Sequence, residues 1–68
     1  DVIDEPHCHI STGALLNGHC HIESGCFVGS GAVLREGVRV GAESVIGCGA
    51  LVLGDVPPGS RVVGTWKG

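Results

Sequence analysis

Residues 9–52, HISTGALLNGHCHIESGCFVGSGAVLREGVRVGAESVIGCGALV, read in steps of six. Ile10, Leu16, Ile22, Val28, Leu34, Val40, Ile46 and Val52 stand six apart without a miss. Four positions after each comes a small or β-branched residue: Ala14, Cys20, Cys26, Ala32, Val38, Ser44, Ala50 and Val56. Glycine recurs three positions after, at Gly13, Gly25, Gly31, Gly37 and Gly49. A period of six is neither the 3.6 of a helix nor the 2 of a hairpin meander. Each hexad therefore predicts a short strand and a corner. Alternation turns the aliphatic residue and the small residue two before it to the inside, and the corner draws on the conformational freedom of glycine.

A longer period is superimposed on the first. The pair Gly-Ala returns at 13–14, 31–32 and 49–50, every 18 residues, so three strands close one triangular coil and residues 18 apart stack at about 4.8 Å. The predicted fold is all-β, a left-handed parallel β-helix. Its interior columns are Ile10/Val28/Ile46, Leu16/Leu34/Val52 and Ile22/Val40, with Ala14/Ala32/Ala50 and Val2/Cys20/Val38/Val56 at the inner corners. Coils are expected over residues 1–56. Pro57-Pro58-Gly59 removes two backbone donors, which predicts that 57–68 is an extended C-terminal tail. Val2 already falls in a small-residue slot, so further coils are expected upstream.

Composition narrows the functions. With 7 Asp+Glu against 4 Lys+Arg there is no basic stripe to follow a phosphate backbone, so nucleic acid is not the expected partner. No apolar run approaches the roughly 20 residues that span a bilayer, and no signal-like segment opens the chain. The expectation is a soluble, cytoplasmic protein. A chain of 68 residues with only Phe27 and Trp66 as aromatics buries little surface by itself, and oligomerisation is one way to supply the missing stability.

The outward residues just before each aliphatic position form three columns. One is Leu15/Val33/Leu51, a second His9/Phe27/Val45, and the third Ile3/His21/Arg39 with Glu5 and Glu23 beside it. The third is read as a solvated charged face. The two apolar columns would be an aggregation hazard on a monomer, which predicts a closed ring of copies, a homotrimer. Gly29 and Gly47 flank Phe27 and Val45, and the adjoining corner is Thr12-Gly13, Ser30-Gly31 and Cys48-Gly49. Bare backbone there offers close approach to a slender ligand.

The tripeptide His-Cys-His occurs twice, at 7–9 and 19–21. His-x-His on a strand places two imidazoles on one side, a pattern that metals use. However, a spacing of 12 residues is two-thirds of a coil, so the copies fall on different faces and no metal site is predicted within the chain. His19 and His21 are read as solvated, whereas His9, heading the Phe27 column, is placed for proton transfer or hydrogen bonding. Cys8, Cys20 and Cys26 occupy inward slots as compact hydrophobes. Cys48 is read as an exposed corner thiol with no neighbouring His or Lys to activate it.

The hexads GSGAVL (29–34) and VIGCGALVLGDVPPGSRVVG (45–64) resemble the hexapeptide-repeat acyltransferases, and HISTGALLNG (9–18) is similar to the sialic acid O-acetyltransferase and amino-sugar N-acetyltransferase family. That resemblance implies transfer of an acetyl group from acetyl-CoA to a sugar hydroxyl or amine, with the acyl donor lying between coils of a trimer. It implies that His9 contacts the acetyl end and that the Gly18 backbone N–H faces the thioester oxygen as an oxyanion donor. Ser30 and Cys48 would line the path of the pantetheine arm. The general-base histidine of the family would precede Asp1, which would then be the acidic residue that follows it. The ending departs from the family, with VGTWKG where Gly-x-Pro-Ala-basic is expected, so whether Trp66 and Lys67 cover the donor's adenine or its phosphate is left open, and Lys67 is kept as a candidate donor-binding residue. The acceptor is a small molecule, a nucleotide sugar among the candidates. Two other readings stand beside this one: a zinc-dependent enzyme of the carbonic-anhydrase kind on the same helix, and a non-catalytic trimeric scaffold.

Overall fold

The structure is a computed structural model and describes residues 2–68. Eleven two-residue strands follow one another: β1 (Ile3–Asp4), β2 (His9–Ile10), β3 (Leu15–Leu16), β4 (His21–Ile22), β5 (Phe27–Val28), β6 (Val33–Leu34), β7 (Arg39–Val40), β8 (Val45–Ile46), β9 (Leu51–Val52), β10 (Arg61–Val62) and β11 (Thr65–Trp66). Strands adjacent in sequence never pair. Instead three parallel sheets form, β1-β4-β7, β2-β5-β8-β10 and β3-β6-β9-β11. Each sheet is one side of a prism, and the chain is a left-handed parallel β-helix. Register agrees with the count of 18: Ile3 faces His21 and then Arg39, His9 faces Phe27 and then Val45, and Leu15 faces Val33 and then Leu51.

The interior is a stack of aliphatic rungs. Ile22, Val28, Leu34, Val40, Ile46 and Val52 have no exposed surface, while Cys20, Cys26, Ala32, Val38 and Ala50 fill the inner corners. Each full burial of such an aliphatic side chain contributes about 2 kcal/mol. Ile10 and Leu16 are half-buried, since they pack against the core from one side only. The three inward thiols also donate to corner carbonyls: Cys8 to Glu23 at 3.1 Å, Cys20 to Arg35 at 3.2 Å and Cys26 to Gly41 at 3.1 Å. All four cysteines are free.

Corners close through one left-handed residue per hexad. Gly13, Gly25, Gly31, Gly37 and Gly49 take φ between +70° and +80°, and the same seat is held at His7, His19 and Glu43 with φ of 68°, 63° and 63°. A side chain in this region meets its own backbone, which explains why glycine fills most of these seats.

Two expectations are corrected at the C-terminal end. Residues 57–68 are not an extended tail: β10 pairs with β8 and β11 with β9, both parallel, so the helix continues past the prolines. Val56 does not stack on Val38 but bridges to Val40. The cause is a pair of shortened steps, four residues from Val52 to Val56 and four from Val62 to Trp66 instead of six. Pro57 is tolerated because the N–H just after a strand points to the following rung, as the Gly41 N–H does to the Val56 carbonyl at 2.7 Å, whereas Val56 and Gly59 on either side of the prolines keep their bonds to the preceding rung. Among the described residues nothing lies below Val56 on that side, so the missing donor of Pro57 leaves no gap in the ladder. Trp66 takes the inward place under Val52 and packs against the core.

Candidate functional site on the histidine side of the prism

Three sides and three edges define where chemistry can occur. The charged side carries β1, β4 and β7. The histidine side carries β2, β5, β8 and β10, and the leucine side β3, β6, β9 and β11. His9 and Phe27 are neighbours on the histidine side, with ring centroids 5.0 Å apart and planes 4° from parallel. His9 is exposed. Ser30 and Cys48 lie on the edge between the histidine and leucine sides, on successive rungs tied by the Gly49 N–H donating to the Ser30 carbonyl at 2.9 Å. Both are exposed, so His9, Ser30 and Cys48 share one continuous surface.

Gly18 and Lys67 do not join them. Gly18 sits at the corner between β3 and β4, on the edge between the leucine and charged sides, which is the edge opposite the histidine side. Its carbonyl accepts from the Gly37 N–H at 2.9 Å. A Cβ built on Gly18 would meet nothing within 4 Å, so space lies open beside it. Lys67 follows β11 to the same edge, where its backbone oxygen packs against Gly54. The residues singled out from the sequence therefore form two groups, one on either flank of the leucine side. Asp1 lies outside the described residues.

The structure alters three other readings. His21 is half-buried and its Nε2 lies 2.6 Å from Glu5 Oε2, so it is one member of a pair rather than a solvated side chain. One rung on, Arg39 Nε donates to Glu23 Oε2 at 2.7 Å and the Ala42 N–H to Glu23 Oε1 at 3.1 Å, which together hold the Glu23 carboxyl below the usual range. Gly29 is required by the neighbouring rung and not by a ligand, because a Cβ there would stand 2.7 Å from the Cys48 backbone nitrogen. Trp66 covers the end of the core, with its indole N–H donating to the Asp55 carbonyl at 3.0 Å.

Arg61 was missed in the sequence. It belongs to β10, directly below Val45 in the His9/Phe27 column. It is exposed, and among the described residues it has no ion-pair partner. The frame counted at 18 residues would have found it only if the four-residue step before Val56 had been recognised. The two His-Cys-His copies lie apart, His9 on the histidine side and His21 on the charged side. Among the described residues no three His, Cys, Asp or Glu side chains are grouped to hold a metal ion. No helix of the structure is long and apolar enough to cross a membrane.

With the stacked hexads in place, the comparison with protein families is decisive. The family model described as bacterial transferase hexapeptide (six repeats) matches residues 19–54, more than half of the chain. The chain belongs to this hexapeptide-repeat transferase family. Neither the curated proteins nor the solved structures gave a match. Membership in the hexapeptide transferases agrees with the stacked parallel coils and carries a transferase role in general. Six matched repeats begin at His19 and end at Gly54, so β4 to β9 lie inside the match and β10 and β11 beyond it.

Proposed function

We propose that this hexapeptide transferase chain is the donor-binding coil region of an acetyl-CoA-dependent acetyltransferase that modifies a sugar hydroxyl or amine, and that it works as a homotrimer. The observation that carries the reading is the split of the candidate residues. His9, Ser30 and Cys48 lie on one flank of the leucine side and Gly18 and Lys67 on the other. One prism cannot bring the two groups together. In a threefold ring every interface joins two different patches of the same chain, and such a ring can set the histidine side of one copy against the Gly18 edge of the next.

Exposed apolar residues support the ring. Leu15 is 54% exposed, Leu51 39% and Phe27 41%, an arrangement that asks for cover. The residues also suit the donor. His9, Ser30 and Cys48 offer polar contacts along an otherwise apolar surface, and Arg61 at its lower end suits phosphate oxygens. The donor, when bound, supplies the activated acetyl group. His9 is placed to hydrogen-bond its acyl end, and Gly18 of the adjoining copy to present a backbone N–H where negative charge develops, an interaction typically worth about 3 kcal/mol of transition-state stabilisation.

Calorimetry with acetyl-CoA combined with sedimentation equilibrium tests the proposal. We expect a particle of three chains and saturable binding of one donor per chain. A monomer, or a trimer that gives no heat with the donor, would refute it.

A further inference from the structure

The histidine side holds one relationship that the reading above leaves unused. His21 is fixed by the Glu5 carboxylate at 2.6 Å. His9 has no such partner among the described residues, and what meets its imidazole is a ring, Phe27, at 5.0 Å and within 4° of parallel. That separation matches the rung spacing of about 4.8 Å. The two side chains therefore leave adjacent rungs in the same direction, each turning a face to the other and an edge to the space outside. Of the two imidazole nitrogens of His9, Nε2 is the one at the far end of the ring from Cβ, and it is the nitrogen that an outward-directed ring offers to a ligand.

An exposed imidazole on a strand has several staggered positions open to it. Stacking against a second ring selects one of them, because aromatic pairs gain from this contact beyond the area they bury. The next residue in the column, Val45, is aliphatic and offers no ring to continue the stack. Phe27 is itself exposed, so the stack stands on the outer surface of the prism, where a ligand can reach it.

We propose that Phe27 is a positioning residue for His9: it holds the imidazole so that a ring nitrogen points away from the prism toward the acyl end of the donor. The inference rests on the reading of His9 as the donor contact given above. The role assigned to Phe27 runs through His9.

The test uses the full chain with Phe27→Leu, Phe27→Tyr and His9→Ala, each measured in two ways. Proton NMR of the histidine rings reads the stack directly, and calorimetry with acetyl-CoA and with unacetylated coenzyme A reads its consequence. We expect upfield-shifted His9 ring protons in the wild type, retained in Phe27→Tyr and lost in Phe27→Leu. We expect Phe27→Leu to weaken acetyl-CoA by about fivefold with coenzyme A unchanged, Phe27→Tyr to restore the preference, and Phe27→Leu to add nothing once His9 is Ala. Equal weakening of both ligands, or an unchanged preference after the stack is lost, would overturn the proposal. If the wild type binds neither ligand while its His9 protons remain shifted, the donor reading itself has failed and the positioning role falls with it.

Discussion

Trp66 lies in register with Val52, and its indole N–H donates to the Asp55 carbonyl at 3.0 Å. Asp55 in turn accepts the Arg39 backbone N–H through Oδ1 at 2.9 Å, in place of a ladder carbonyl lost at the shortened corner. These two residues close the lower end of the prism. Trp66→Ala removes the cover from Val52 and leaves a carbonyl without its donor. We expect a loss of about 2–3 kcal/mol, less than for a fully buried Trp because this one is part-exposed. Urea unfolding followed by circular dichroism measures it, and a change below 0.5 kcal/mol, about the noise of a surface substitution, would show that the ring does not cap the core.

The left-handed corner seats give a paired prediction. His19 and Gly37 occupy the same seat on successive rungs, with φ of 63° and 79°. Gly37→Ala places a Cβ where the backbone disfavours one and should cost about 1–2 kcal/mol. His19→Gly relieves that conflict but gives the unfolded chain more freedom, so a net gain of about 0.5 kcal/mol is expected. Opposite signs in thermal unfolding support the corner geometry.

A pH dependence follows from Glu23. The hydrogen bond from Arg39, then that from the Ala42 N–H, lower its carboxyl pKa from the ordinary 4.5. A carboxyl whose folded pKa lies below its unfolded one stabilises the fold above the unfolded value, and the effect is lost as pH falls through the folded value. Stability should therefore decline below about pH 4.5, and Glu23→Gln should flatten that part of the decline. Parallel curves for the two proteins down to pH 2 would contradict the pair. Added salt should weaken the effect, because Arg39 is exposed.

Much of the prism was legible in the sequence because its period is a count along the chain. From Ile10 to Val52 no step departs from six, so every column and every side could be assigned from the residues. The lower end was not legible. Stacking there is kept by two four-residue steps that break the count, and Pro57-Pro58 reads as a stop until the absence of a rung beneath them is known. The candidate site was legible in part. His9, Ser30 and Cys48 lie on one surface as their spacing required, whereas the two four-residue steps hid that Lys67 reaches the edge on which Gly18 sits. The stack of His9 on Phe27 was implied by their 18-residue separation, whereas its ring geometry was not. Glu5 was placed beside His21 on the charged face by the count, but that the two side chains meet one rung apart at 2.6 Å was not legible, and His21 was read as solvated.

Arg61 and Lys67 can be separated by substitution. Arg61 shares a column with His9, whereas Lys67 lies on the opposite edge. Under the proposed function Arg61→Ala should weaken acetyl-CoA binding about tenfold and reduce its salt dependence. Dephospho-coenzyme A tells which phosphate each basic group serves. If Arg61→Ala binds the donor as the wild type does, the donor does not run down the histidine side.

Mixing two defective chains tests most directly whether the site is shared between copies. His9→Glu blocks the histidine side and Gly18→Glu the opposite edge, where a Cβ meets nothing within 4 Å. Each variant alone should lose acetyl-CoA binding. Refolded together in equal amounts, about one interface in four combines an intact histidine side with an intact Gly18 edge, and calorimetry should recover about a quarter of the sites at wild-type affinity. No recovery from a mixture that sediments as trimers would contradict a site built from two chains.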